Sequence, residues 1–245
     1  MKFLTSLALV ASASATSLSG SRMQSRPRVL SSSPARLFSR AGVEPAYSPN
    51  WAGAVQSGTG FHYVEGTITV PKVSGKPDAA AAAWVGIDGV DCQQAILQTG
   101  VSFHADGTFE AWYEWYPEYS HNWDNFKIKA GDQIKMIVDA TTSTSGTASL
   151  ENLTTGQKVS QHFPKAPVKI CGVTAEWIVE DFTANDHQVP FANFGSITFT
   201  NAIAKGDKGS VSPQGAEIYA IREENAQSAL TSCGARRGQV SCHYV

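Results

Sequence analysis

Charged side chains are scarce in this sequence, and the scarcity is informative. They make up 16% of 245 residues, too few for a solvated coiled coil or a disordered chain, and a formal net charge of -2 gives no reason to expect nucleic acid. No run approaches the roughly 18 consecutive apolar residues of a bilayer-spanning helix, so no membrane partner is expected. Neither HExxH nor GxSxG occurs, and no CxxC or His-paired spacing suggests zinc. The six histidines (His62, His104, His121, His162, His187, His243) are scattered without ligand spacing, and surface or turn positions are expected for them. No metal and no other cofactor is therefore expected. An aspartic peptidase would want two Asp-Thr/Ser-Gly loops, and the near match "IDG" at Asp88 appears once. Helical periodicity is missing too. "DAAAAAW" alone raises it, and the Trp-Val-Gly that follows favours a strand.

What is present divides into two parts. Met1 to Val43 carry one Lys and five Arg (Arg22, Arg26, Arg28, Arg36, Arg40) and no acid, whereas from Pro45 onward 20 acids face 13 bases. The opening "MKFLTSLALVASASA" has a charge at Lys2, a short apolar run and small residues at Ala13 and Ala15, the pattern of a signal peptide over residues 1–15 and of a secreted, extracellular protein. Residues 16–45, rich in Ser and Arg, cannot bury enough apolar surface to fold alone. They read as a disordered tail or as a basic pro-segment that docks on the acidic remainder and silences it. Residues 46–245 form the third unit. At 42% hydrophobic overall, the chain can bury one sizeable core, and an all-β domain of about 200 residues commonly stays single.

That unit has period 2. "GFHYVEGTITV", "AAAWVGID", "QQAILQT", "FEAWYEWY", "QIKMIVDAT", "TASLENLT", "AEWIVEDF", "FGSITFTNA" and "AEIYAIRE" are short runs rich in β-branched and aromatic residues, separated by turns such as "ADG", "KAGD" and "TTGQ". The spacing predicts an all-β sandwich. Four cysteines in an oxidising compartment suggest two disulfides, with three connectivities open; Cys233 and Cys242 can close one hairpin, leaving Cys92 for Cys171. Asn152-Leu153-Thr154 is a sequon, so a surface glycan at Asn152 is expected. A monomer is the default.

Two strands place acids oddly. In "EAWYEWYPEY", Trp112, Glu114 and Tyr116 share one face and Tyr113 and Trp115 the other; in "AEWIVED", Glu176, Ile178 and Glu180 oppose Trp177, Val179 and Asp181. Aromatics on both faces of a strand cannot all be core, and a carboxylate between alanine and tryptophan must be solvated, paired or used. One face of each strand therefore reads as groove lining.

Taken together, "NWAGAV", "WVGIDG", "AILQTG", "AWYEWYPE", "NLTTGQ", "AEWIVEDF" and "FGSITFTNA", in that order over most of residues 46–245, resemble the eqolisins, the glutamic peptidases of filamentous fungi. The resemblance implies a two-sheet antiparallel sandwich of the concanavalin A-like type and an acid endopeptidase acting on polypeptides. Its catalytic pair carries over to Gln98 of "ILQTG" and Glu176 of "AEWIVEDF". Trp84, Asp88, Trp112, Glu114, Tyr116 and, with a weaker match, Glu110 are expected to bind substrate or orient the pair. A Cys92–Cys171 bridge would hold the two catalytic strands together. A carboxyl group can activate water and an amide can donate to the oxygen on which charge grows. Whether Glu176 starts ionised or protonated is open on sequence grounds. So are two rivals, a sugar-binding lectin-like sandwich and a glycosidase using Glu114 and Glu176.

Overall fold

The computed structural model describes residues 45–184 and 187–245; the expected signal peptide and residues 16–44 of the expected pro-segment lie outside them. Eighteen strands follow one another among the described residues. The first nine are β1 (Ala46–Ser48), β2 (Trp51–Ser57), β3 (Tyr63–Thr69), β4 (Ala80–Ile87), β5 (Ile96–His104), β6 (Phe109–Tyr116), β7 (His121–Asn122), β8 (Gln133–Thr142) and β9 (Ser145–Asn152). The rest are β10 (Lys158–Phe163), β11 (Thr174–Glu180), β12 (Thr183–Ala184), β13 (His187–Gln188), β14 (Ser196–Gly206), β15 (Gly209–Val211), β16 (Glu217–Ile221), β17 (Thr231–Arg236) and β18 (Gln239–Tyr244). Every run read from the sequence as extended overlaps a strand, and the alanine run opens β4.

Two sheets face each other. The first runs β1-β16-β2-β11-β4-β5-β6-β7 and the second β10-β9-β8-β3-β14-β18-β17. All pairings within them are antiparallel except β1 with β16, which is parallel. Between the sheets lies a core that includes Val64, Ile68, Ala83, Val85, Ile87, Leu97, Val101, Trp115, Ile134, Met136, Val138, Trp177, Val179 and Phe199. Alanine's helix preference is overridden in β4 because the strand is central and buried on both faces, where neighbours rather than propensity decide. Trp177 is fully buried behind Glu176 and donates its indole N–H to the Glu65 carbonyl at 2.8 Å, locking β11 onto the second sheet.

The disulfides are Cys92–Cys171 and Cys233–Cys242. The surface glycan expected at Asn152 is not compatible with the fold. The Asn152 side chain is fully buried, its Nδ2 donates to Asp132 Oδ2 (2.8 Å) and to the Lys127 carbonyl (3.2 Å), and its Oδ1 accepts from the N–H groups of Thr154 and Thr155. A sequon records three residues and says nothing of what packs on them. Here it marks the knot that fastens two turns. Asn152→Ala should cost about 1–3 kcal/mol, read as a lower urea midpoint, because it leaves the buried Asp132 Oδ2 with the Lys129 N–H alone and takes the acceptor from the Thr154 and Thr155 N–H groups.

Candidate active site

The face of the first sheet turned away from the core is organised by its register. Across β11, β4, β5 and β6 the cross-strand partners form one row, Glu176, Gly86, Gln98 and Glu114. Partners in register point to the same side, so the Glu176 and Gln98 side chains emerge together, two strand spacings or about 10 Å apart at Cα, with no side chain from Gly86 between them. The next row is Ile178, Trp84, Gly100 and Trp112, and the one beyond it Glu180, Ala82, Ser102 and Glu110. On the other side of the Glu176 row, Ile96 faces Tyr116. The faces assigned from alternation hold: Trp112 and Tyr116 pack with the groove cluster of Trp51, Trp84, Ile178 and Tyr219, while Tyr113 and Trp115 pack on the core.

Two glycines make the floor flat. A Cβ on Gly86 would lie 2.9 Å from Trp84 Cζ3 and 3.3 Å from Gln98 Cβ; one on Gly100 would lie 2.5 Å from Trp84 Cβ and 2.9 Å from Trp112 Cζ2. Each glycine lets an indole lie down on the sheet. The rings are pinned at their polar ends, Trp84 Nε1 donating to Glu180 Oε2 at 2.6 Å and Trp112 Nε1 to Ser102 Oγ at 3.0 Å, and Trp51 meets Trp84 edge-on at 4.9 Å. Gly86→Ala should therefore lower kcat by about tenfold or more while moving Tm by only a few degrees, because the methyl group displaces the Trp84 ring between Gln98 and Glu176.

Gln98 is buried, and its Nε2 donates to Glu114 Oε2 at 2.8 Å. The amide thus turns its nitrogen toward Glu114 and its oxygen away from it. One N–H of Gln98 and its buried Oε1, which has no partner among the described residues, remain for other work. Glu176 is fully buried, and neither of its carboxyl oxygens has a hydrogen-bond partner among the described residues. Thr174, two residues earlier on the same face, comes close enough to lower its pKa without reaching hydrogen-bonding geometry. Burial dominates and, reinforced by the charges of Asp88 and Asp91, pushes the Glu176 carboxyl well above the usual range.

Asp88 does not line the groove. It is fully buried with φ +72°, and its carboxylate accepts from the backbone N–H groups of Cys171 (2.6 Å), Gly172 (2.8 Å), Val173 (2.9 Å) and Thr174 (3.3 Å), the segment that delivers β11. It orients Glu176 from behind, and the Cys92–Cys171 bridge closes the same junction. Asp88, Cys92 and Cys171 approach as metal ligands might, but both sulfurs are spent in the disulfide. From Asp88 to Ala95 the chain folds back onto the groove face, where a Cβ on Gly89 would meet Ile96 Cδ1 at 2.6 Å and Trp51 Cη2 at 2.8 Å. Glu110 stands apart from the dyad row, half-exposed, beside His104 at 3.4 Å. His104 is thus not a turn or surface residue: it ends β5 and stacks edge-on against Phe182. A hollow of about 340 Å³ on the outer face of the second sheet, lined by Thr67, Thr198, Thr200 and Asn201 among others, holds no titratable group.

Sequence reasoning had named Trp84, Gln98, Trp112, Glu114, Tyr116 and Glu176, and the fold brings them onto one face. Gly86, Gly100, Trp51 and Ser102 are not legible in the sequence as site residues, and Glu180 is legible only as part of the groove-lining face. A glycine two residues from a tryptophan in an apolar strand, as in "WVG", was the available signal.

An all-β sandwich whose outer sheet face sets a buried amide and a buried carboxyl among indole rings suits hydrolysis of the carboxyl-dependent kind. Comparison makes the class particular. The peptidase A4 family profile matches residues 49–244. Scytalidopepsin B of Scytalidium lignicola is 44% identical, with 91% of this chain and 88% of that protein covered; aspergillopepsin-2 of Aspergillus niger is 40% identical, with 92% and 88% covered. The crystal structure of scytalido-glutamic peptidase with a transition-state analogue inhibitor superposes with a TM-score of 0.77 at 46% identity, covering 81% of this chain and 99% of that one. The chain belongs to the peptidase A4 family, the eqolisins, and is a glutamic peptidase. The lectin-like and glycosidase readings give way to it.

Proposed function

We propose that this protein is a secreted acid endopeptidase in which Glu176 and Gln98 act on a peptide bond seated over Gly86. The observation that carries the reading is the shared row: a carboxyl and an amide oxygen without hydrogen-bond partners among the described residues, both buried, one glycine position apart.

Because burial keeps Glu176 neutral in acid, it begins the cycle as an acid. It gives its proton to the substrate carbonyl oxygen as water, oriented by Gln98 Oε1, adds to the carbon. The Glu176 carboxylate takes back the proton that the added water releases, leaving a gem-diol. The free N–H of Gln98 holds one of the diol oxygens, while Glu114 keeps the amide from turning. Glu176 then protonates the amine nitrogen, the C–N bond breaks, and a diol hydroxyl returns a proton to Glu176. The products are one carboxylic acid and one amine. Trp84, Trp112 and Tyr116 offer the substrate an apolar floor, and no step calls for a metal or other cofactor.

Secretion is supported by the leader-like residues 1–15 and the two disulfides. Inhibition by the basic stretch from Arg22 to Arg40 is supported by composition: the outer face of the first sheet carries the acidic residues Glu110, Glu114 and Glu180, while β2, β4, β5, β6 and β11 contain no Lys or Arg. The stretch also leads directly into β1, on the groove sheet. The test is cleavage of casein at about pH 3, below the ordinary carboxylate range. Loss of cleavage in Gln98→Ala and in Glu176→Gln supports the dyad; persistence in either rejects it.

A further inference from the structure

We propose that Glu180 is a positioning residue of the active site, acting through the Trp84 indole on the seat of the scissile bond. The inference rests on the Gln98–Glu176 reading and extends it to a carboxylate that the chemistry above does not use.

Glu180 is fully buried, four residues after Glu176 on the same face of β11 and two rows away, too far along the strand to touch a bond held by Glu176. Its Oε2 accepts the Trp84 indole N–H at 2.6 Å. The direction of the ring gives this contact its consequence. The Nε1 end of Trp84 lies at the Glu180 row, while the opposite edge, Cε3 and Cζ3, reaches over Gly86, where an added Cβ would stand 3.3 Å and 2.9 Å from those atoms. One rigid plane thus runs from Glu180 to the empty position between Gln98 and Glu176. Trp51 packs edge-on against it, and Gly100 lets its stem sink to the sheet. Packing alone leaves an indole free to slide or flip within its plane. A hydrogen bond at one end fixes where the other end stops. The substrate recognised by this floor is an extended peptide whose carbonyl carbon rests on the Cζ3 edge, and its height above the sheet is set from Glu180.

The test is a double-mutant cycle on the complete, processed enzyme, with kcat and KM measured on one fluorogenic peptide in acid and Tm recorded for each variant. Glu180→Leu removes the acceptor and should lower kcat by about 10–100-fold, the size expected for a misplacement of order 1 Å, with little change in KM. Glu180→Gln keeps a neutral acceptor and should lose about threefold to tenfold. Trp84→Phe removes the donor and much of the plane. In the Trp84→Phe background, neither Glu180 substitution should lower kcat further by more than about twofold. If the losses multiply instead, or if Glu180→Leu keeps the parental kcat, the proposal is overturned. Should Glu180→Leu fail to fold, the Glu180→Gln arm of the cycle decides alone. Activity persisting in Gln98→Ala or Glu176→Gln would overturn the underlying dyad, a different outcome from multiplying losses in an enzyme whose dyad variants are dead.

Discussion

Glu176→Gln should lower kcat by about 10²–10⁴-fold at acid pH, and Gln98→Ala by about 10²–10³-fold, with the two variants still folded and still binding peptide inhibitors. The two losses should not multiply in the double variant, since each side chain serves the same bond and removing one leaves the other little to do. Glu176→Gln carries a second expectation of opposite sign. The carboxyl is pushed well above its ordinary range by burial, helped by Asp88 and Asp91, so the folded state holds a proton that the unfolded chain releases above about pH 4.5. Its contribution to stability is complete in acid and falls as pH rises toward the folded pKa. A glutamine does not titrate. The inactive variant should therefore melt higher than the parent at about pH 7 and equally at about pH 3, which separates loss of chemistry from loss of fold.

The Glu176 contribution to stability is thus largest in acid, contrary to the usual carboxylate pattern. Asp181 adds to the effect. Burial, and then the neighbouring Glu180 and more weakly Glu223, push its carboxyl up to about 8, against a partial offset from Gln188 Nε2, which donates to its Oδ2 at 2.9 Å. Raising a carboxyl from 3.8 to about 8 gives stability that is whole below about pH 4 and lost progressively up to about pH 8, by up to about 6 kcal/mol. For a domain of this size that is a large share of the total. Urea midpoints should fall steeply across this window. Asp181→Asn, which keeps an oxygen for Gln188 and cannot ionise, should flatten the slope and raise the midpoint at about pH 7 without changing it at about pH 3. A midpoint that rises with pH in the parent would contradict the burial of both carboxyls.

Alternation revealed the strands and their faces because a half-buried sheet imposes it residue by residue. Trp112 against Tyr113 and Glu176 against Trp177 could be sorted from the order of letters alone. Motif order pointed to Gln98 and Glu176, the proposed dyad. What remained hidden is set by residues distant in the chain. The protonation of Glu176 depends on its burial and on Asp88 and Asp91, 88 and 85 positions earlier. The use of Gly86 depends on an indole that leans onto it, and that of Glu180 on a ring 96 positions away. Asn152 misled for the same reason, since its partners Asp132 and Lys127 sit in another turn.

The strand order also decides when the enzyme can exist during its own synthesis. β11 is inserted between β2 and β4, strands made long before it, and Gln98 meets Glu176 only through β4. A chain still emerging from the ribosome holds the amide half without the carboxyl half. The proposed pair thus comes together only when β11 is threaded between two strands made before it, and a product truncated short of residue 176 lacks the carboxyl half.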